Sequence, residues 1–101
     1  MVEEADRIAS EHVQVMTKAM AVELAPQGIR VNSVAPTFVA TPLTQAFLQD
    51  RAFSDWVLER IPLGRLARPE EVAAAIVFLA KPTSGAVTGT SLKVDGGWTA
   101  Q

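Results

Sequence analysis

The chain has 101 residues, of which 49% are hydrophobic and 20% are charged, and its formal net charge is −2. This balance is typical of a small globular domain and excludes a disordered chain, which would combine low hydrophobicity with high net charge. The net charge provides no basic surface for nucleic acid, and the lack of cysteine excludes disulfides, thiolate metal sites and cysteine nucleophiles.

Two further absences narrow the function classes. No uninterrupted apolar run approaches the about 18 residues of a membrane span, and the amino terminus is acidic where a signal peptide would be basic. We therefore expect a cytoplasmic protein that does not engage a membrane. The chain has no tyrosine and a single histidine, His12, so its supply of acid–base groups near neutral pH is small. His12 has no catalytic or metal-ligating constellation around it and is interpreted as an exposed helix residue.

The first predicted element is a long helix from Glu4 to Ala25, which Pro26 and Gly28 bring to an end. Its apolar residues follow helical spacing in two stripes, the first Ala9, Val13, Met16, Met20 and Leu24, the second Val15, Ala19 and Val22. A helix with two apolar stripes is usually covered on two sides, by a sheet and by another helix.

The rest of the chain alternates between strand and helix patterns. β-Branched and alternating residues predict a strand from Ile29 to Ala35, which Pro36 ends. The later predicted elements are helices at Pro42–Gln49, Arg51–Arg60 and Pro69–Ala80, and a second strand at Thr90–Val94. Strands separated by helices indicate a parallel α/β sheet, and since two strands rarely make such a sheet alone, the chain has the pattern of part of a larger domain.

Four segments in this order have the residues and spacing of one known family. They are Met16 to Pro36, Ile61 to Arg65 (Ile-Pro-Leu-Gly-Arg), Pro69 to Ala73, and Thr88 to Gly97. Together they resemble the carboxy-terminal part of the short-chain dehydrogenase/reductase family. Residues 10–101 match, residues 1–9 diverge, and family members are domains of about 250 residues, so the resemblance implies that residues 1–101 are a partial Rossmann-type domain, cut from a doubly wound parallel sheet. The implied parent function is hydride transfer between NAD or NADP and a carbonyl or alcohol.

The same resemblance shows what the chain lacks. The family's glycine-rich turn, which cradles the cofactor pyrophosphate, has no counterpart here. The family's catalytic tyrosine and lysine positions fall on Asp6 and Ser10, or on Arg7 and Glu11 if the register slips by one residue. Lys18 lies well past the position of the catalytic lysine and is interpreted as a solvated helix residue. No catalytic residue is therefore assigned.

The segment Pro36-Thr37-Phe38-Val39-Ala40-Thr41 resembles the family's Pro-Gly-x-Val/Ile-x-Thr loop, which holds the nicotinamide half of the cofactor. The resemblance implies that Pro36, Thr37, Val39 and Thr41 are cofactor-binding. Thr37 replaces the family's glycine and adds a side chain where the cofactor approaches the backbone. The alternative is a plain strand-to-helix turn in which Thr41 and Pro42 cap the next helix.

Leu43 to Ile61 corresponds to the family's substrate-covering lid, with Leu43, Phe47, Phe53 and Trp56 as an apolar lining for a moderately hydrophobic substrate. The alternative is ordinary core packing of two short helices. Asp95-Gly96-Gly97 is interpreted as a turn and not as a phosphate loop, because no helix pattern follows it.

Three functional hypotheses remain. The chain is part of an oxidoreductase that is inactive alone and binds no cofactor alone, or an oligomerisation module that pairs with a second copy or with a related full-length subunit, or an enzyme that uses other residues. Because the catalytic pair is absent, the third hypothesis is the weakest.

Overall fold

The computed structural model describes residues 2–101, apart from the side chains of Val2, Glu3, Ala5 and Asp6. The helices are α1 (Val2–Leu24), α2 (Pro42–Phe47), α3 (Arg51–Arg60) and α4 (Pro69–Ala80), and the strands are β1 (Ser33–Pro36) and β2 (Ser91–Val94). Short 3-10 turns occupy Ala25–Gln27, Pro82–Ser84 and Trp98–Ala100. The predicted order of helix, strand, helices and strand is confirmed. The assignment of Asp6 to the family's tyrosine position, and residue 1 of the divergent start, lie outside the described residues.

The two strands are parallel, with Ser33 opposite Ser91 and Pro36 opposite Val94. Helix α1 contacts β1, and helix α4 contacts both strands. The buried hydrophobic residues are few: Ala21, Val57, Ile61, Ala67, Ala75 and Leu79. Among residues 2–101, no helix has both the length and the apolar character needed to cross a bilayer.

The first strand begins later than the predicted Ile29, because the residues before Ser33 bond to the neighbouring segment partly through side chains. The carbonyl of Val31 accepts from the N–H of Gly89 at 2.8 Å, but the N–H of Val31 donates to the hydroxyl of Thr88 at 3.1 Å. The Asn32 side chain donates to the carbonyl of Val87 at 2.9 Å and accepts from the N–H of Thr90 at 3.1 Å. This amide therefore takes the place of two backbone partners, and the regular ladder starts only at Ser33.

Pro36 does not stop the first strand but is its last residue. The N–H of Thr37 donates to the carbonyl of Val94 on β2 at 3.4 Å, so the missing N–H of Pro36 falls on the side away from β2. Proline is tolerated there because no partner strand lies on that side within the described residues. The same alternation directs the backbone groups of Val34 to this open edge.

Helix α2 ends at Phe47 and not at the predicted Gln49, because Asp50 begins the next helix. The Asp50 carboxylate accepts from the N–H groups of Ala52 and Phe53 at 3.1 and 3.3 Å, and such a cap requires an extended backbone. Helix α3 has the predicted bounds.

Helix α1 packs through a face that neither predicted stripe includes. Its buried residues are Thr17 and Ala21, and a Cβ placed on Gly89 would lie 3.4 Å from the Cβ of Ala21. Most large residues of the two stripes are exposed, namely Val13, Met16, Met20, Val15 and Val22. Both stripes are therefore largely exposed within this chain, because the close approach at Gly89 admits only a small side chain on the face of α1 that packs.

The turn after β2 gives a test of tight packing. Gly96 has φ +63°, and a Cβ there would lie 2.6 Å from Cγ2 of Ile61, whereas Gly28 has φ +74° with open space around it. We expect Gly28→Ala to lower the free energy of unfolding by about 1 kcal/mol, from backbone strain alone. Gly96→Ala should cost about 1–3 kcal/mol more, because the added methyl displaces a buried isoleucine. Urea denaturation of both variants at one protein concentration measures the difference, and equal losses would contradict it.

Candidate functional site

The loop after β1 and the turn after β2 emerge side by side. Because the strands are parallel, their carboxyl ends meet at one edge of the sheet, which is where open α/β sheets bind ligands. Residues 37–41 follow Pro36 and residues 95–97 follow Val94 at this edge. The predicted cofactor loop therefore lies at the ligand-binding edge.

The backbone of the loop is held by an isolated bridge between Val39 and Ala67. Ala67 donates its N–H to the carbonyl of Phe38 at 3.2 Å, and Ala40 donates to the carbonyl of Ala67 at 2.7 Å. In such a pairing the N–H of Val39 points away from Ala67, and no hydrogen bond among residues 2–101 uses it. This N–H is thus available to an acceptor.

The strained position in the loop is Phe38, with φ +53°, the one non-glycine residue at positive φ among residues 2–101. Thr37, which replaces the family's glycine, is not in that conformation. The backbone conformation at position 37 therefore does not require glycine. The left-handed backbone at Phe38 costs about 1–2 kcal/mol, which neighbouring contacts must offset.

Thr41 caps helix α2. Its Oγ1 accepts from the N–H of Thr44 at 3.2 Å and lies 2.9 Å from the hydroxyl of Thr44, where either oxygen could be the donor. The turn-and-cap alternative is therefore present in the structure. It is compatible with a ligand role, since a Thr44 donor leaves the Thr41 proton for another acceptor.

The four predicted lid residues fall into two groups. Leu43 and Phe47 on α2 are 69% and 61% exposed. Phe53 and Trp56 on α3 stack with ring centroids 6.4 Å apart and an interplanar angle of 11°. The core-packing alternative applies instead to Val57, which is fully buried and anchors α3.

Sequence reasoning missed Trp98, which joins the loop to the lid. Its ring centroid lies 5.2 Å from that of Phe38 and 6.4 Å from that of Trp56, tilted against both. The sequence signal for Trp98 is its place directly after Gly97. A side chain there has a fixed position, because Asp95 holds the turn. That buried carboxylate accepts from the N–H of Gly97 and from the N–H and hydroxyl of Thr99.

Burial alone would raise the pKa of Asp95, but the hydrogen bonds from Thr99 and Gly97 outweigh it and lower the pKa. The acceptor capacity of Asp95 is thus engaged within the turn. This geometry agrees with the interpretation of Asp95-Gly96-Gly97 as a turn.

Three of the four positions that the resemblance offers for the catalytic pair line a cavity of about 420 Å³ near this edge. Arg7, Ser10 and Glu11 share it with Lys93 and Trp98. Arg7 and Glu11 form an exposed ion pair at 3.2 Å. His12 and Lys18 are exposed on α1, as predicted.

An ion pair fixes the segment that carries Ala67. The guanidinium of Arg65 makes two hydrogen bonds to the carboxylate of Glu71, at 2.8 and 2.9 Å, and the N–H of Arg68 donates to the same carboxylate at 2.9 Å. These bonds, first that from Arg65 and then that from Arg68, lower the pKa of Glu71 to about 2. Glu71 therefore ties the start of α4 to Arg65 and Arg68, which lie on either side of Ala67 in the chain.

Two parallel strands with helices packed on them, and with the loop after β1 and the turn after β2 at one edge, have the arrangement of a Rossmann-type α/β fold. The profile of a family described as "Enoyl-(Acyl carrier protein) reductase" matches residues 7–99. The chain belongs to the short-chain dehydrogenase/reductase family.

Its relatives are oxidoreductases by name. The chain is 45% identical over 84 residues to tropinone reductase homolog At2g29310 of Arabidopsis thaliana, covering 83% of this chain and 32% of that protein. It is 52% identical over 82 residues to the 3-oxoacyl-[acyl-carrier-protein] reductase FabG of Thermotoga maritima, covering 81% and 32%. The chain spans about a third of the length of these curated relatives.

A solved structure has the same fold. A putative 2-deoxy-D-gluconate 3-dehydrogenase from Agrobacterium tumefaciens, with bound NADP, superposes with a TM-score of 0.86 at 42% identity. The superposition covers 93% of this chain and 38% of that one. NADP binding is thus found within the family.

The Glu71 ion pair gives a test by pH. Because its folded pKa is about 2 and its ordinary value is 4.5, the stability it contributes is fully present above about pH 4.5 and is lost as the pH falls through about 2. We expect Glu71→Gln to speed amide exchange at Ala40, Ala67 and the start of α4 at neutral pH. The difference from wild type should shrink below pH 4.5.

Glu70→Gln is the matched control, because Glu70 occupies the same first turn of α4 and has no part in these hydrogen bonds. Hydrogen exchange read by mass spectrometry between pH 2 and 7 measures both variants. An equal effect of the two substitutions, or a difference that persists unchanged at pH 2, would show that the ion pair does not support the bridge.

Proposed function

We propose that the chain forms the nicotinamide-binding and substrate-covering part of an NAD(P)-dependent oxidoreductase that acts on a carbonyl or alcohol, and that it neither turns over substrate nor holds cofactor alone. The observation that carries the proposal is the N–H of Val39, which faces away from its bridge at the ligand-binding edge of the sheet. An N–H so placed suits the carbonyl of a nicotinamide carboxamide.

The polar and the apolar side chains at this edge suit different ligands, the cofactor and the substrate. The hydroxyl of Thr41 suits a phosphate oxygen of the cofactor, and the stacked rings of Phe53 and Trp56 suit an apolar substrate cover. The bound NADP in the Agrobacterium relative supports the cofactor class. A bound cofactor would supply or accept the hydride, and this chain would orient the ring that carries it.

The proposed inactivity of the chain alone follows from its acid–base groups. The sequence contains no tyrosine, so the proton relay of the family has no counterpart in it. Ser10 and Glu11, which occupy or adjoin the lysine position, line the cavity without a phenol to act on. The loop would contact only one end of a dinucleotide, so most of its binding free energy is lost.

The exposed apolar surface favours a second candidate, an interaction module that pairs with another copy of the chain or with a related full-length subunit. The accessible surface is 6962 Å², whereas a compact monomer of this mass exposes about 5,500 Å². Both apolar stripes of α1 and the open edge of β1 contribute to this excess. Such an edge is a template for another strand.

The first proposal predicts a gain of function by complementation. The isolated chain should show no NAD(P)H-dependent turnover, and calorimetry should find no dissociation constant as low as micromolar, which corresponds to about −8 kcal/mol. When the chain is co-produced with the amino-terminal two-thirds of Thermotoga FabG, we expect NADPH oxidation with that enzyme's 3-oxoacyl substrate.

Thr41 provides the variant pair for this assay. Thr41→Val removes the hydroxyl and should lower complemented turnover about tenfold or more, the effect of a lost bond to a charged group. Thr41→Ser keeps the hydroxyl and should retain turnover. Turnover by the isolated chain, abolished by a substitution within it, would overturn the claim of inactivity, and failure of every complementing partner would count against the oxidoreductase role.

The second candidate predicts association at micromolar concentration. Sedimentation velocity should find a dimer or larger species, and the double variant Met16→Lys with Met20→Lys should shift it toward monomer, because it places two charges in an apolar contact. Gln27→Lys, an exposed change beyond α1, should leave the distribution unaltered.

A sharp monomer with a cooperative melt well above room temperature would contradict association. Co-purification with a tagged full-length relative, lost in the double variant, would favour pairing with such a subunit over self-association.

A further inference from the structure

We propose that Trp98 is a positioning residue that couples the cofactor loop, residues 37–41, to the lid helix α3. This inference rests on the proposed function only in naming residues 37–41 a cofactor loop and α3 a lid. The contacts that carry it are independent of those roles.

One indole ring touches both elements. Trp98 packs tilted against Phe38 at 5.2 Å and against Trp56 at 6.4 Å, with interplanar angles of 53° and 58°. Tilted pairs at these distances are favourable arrangements of aromatic rings. Phe38, Trp98 and Trp56 thus form a continuous aromatic bridge from the loop to the lid.

Trp56 has two further contacts besides that with Trp98. Phe53 stacks on it, and the guanidinium of Arg60 lies 4.1 Å from its ring centroid. Trp56 therefore does not swing freely when α3 moves. A displacement of α3 is passed to Trp98.

Residues on both sides of Trp98 are hydrogen-bonded to the end of α3 and to the segment that follows it. Its N–H donates to the carbonyl of Asp95 at 3.1 Å, and the carbonyl of Gly96 accepts from the N–H of Leu63 at 3.0 Å. The amide of Gln101 donates to the carbonyl of Arg60. Hydrogen bonds before and after Trp98 in the chain therefore hold its segment against α3 and the residues that follow that helix.

At the loop end of the aromatic bridge lies Phe38, the residue with the strained backbone. Phe38 keeps its positive φ while its carbonyl accepts from Ala67 and its ring packs on Trp98. A left-handed phenylalanine persists only where its surroundings hold it. Loss of the Trp98 ring removes one of these two restraints, so the loop should loosen together with the lid.

The exposed helix α2 is outside this bridge. Leu43 and Phe47 make none of the ring contacts described for residues 2–101 and face solvent. Motion of the lid is therefore expected in α2, while α3 moves only with the loop. Coupling between loop and α3 must be reciprocal, because it is a free energy shared by the two.

Hydrogen exchange on the full chain tests the coupling. Trp98→Ala should speed exchange on the order of tenfold in both residues 37–41 and residues 51–60, while residues 69–80 of α4 exchange as in wild type. Trp98→Phe should rescue both segments, because a phenyl ring can make the same tilted contacts. Trp56→Ala should speed exchange in residues 37–41, whose one aromatic ring, Phe38, contacts Trp98.

Phe47→Ala is the control, because it removes an exposed ring of the lid outside the bridge, and it should leave residues 37–41 and 51–60 unchanged. Faster exchange in residues 51–60 with none in residues 37–41 would overturn the proposal. So would an equal increase in α4, which would indicate general destabilisation. The readout uses neither cofactor nor turnover, so its failure is distinguishable from a failure of the proposed function.

Discussion

The parallel pairing of β1 with β2 is the constraint on which the rest of the structure depends. Its register is fixed by Asn32, whose side-chain amide bonds both Val87 and Thr90 before the ladder begins. Once Ser33 lies opposite Ser91, Pro36 must lie opposite Val94, and the loop and the turn that follow them leave the sheet together. A shift by one residue would exchange the faces of the strand and separate the two segments.

The small and the large apolar residues of α1 lie on different faces of the helix. Ala21 comes close to Gly89, so the helix approaches the backbone beside the sheet through a narrow face. The larger residues, such as Met16 and Val22, are left on other faces and remain exposed. The same helix therefore supports the sheet through its small residues and leaves its large apolar residues exposed, because close packing against backbone admits only small side chains.

Polar contacts near the site are mostly local, and the aromatic contacts are not. Thr41 and Asp50 each accept from N–H groups in the first turn of the helix that follows them. Glu71, in the first turn of α4, accepts from the N–H of Arg68 just before that helix. Trp98, in contrast, meets rings far away in sequence, on the loop and on α3. The caps fix where each helix begins, and the rings relate the helices and loops to one another.

The sequence by itself determined the class, the order of the elements, the bounds of α3 and the place of the loop after β1, because periodicity, prolines and caps act over a few residues and the family's spacing is retained from residue 16 to residue 97. It did not determine which face of α1 packs, since hydrophobicity identifies apolar stripes and not the close approach at Gly89. Only the tertiary structure decided that the strained backbone lies at Phe38 and that Trp98 joins the loop to the lid. A positive φ and a ring contact between distant residues arise from the pairing of the strands, and no local pattern encodes that pairing.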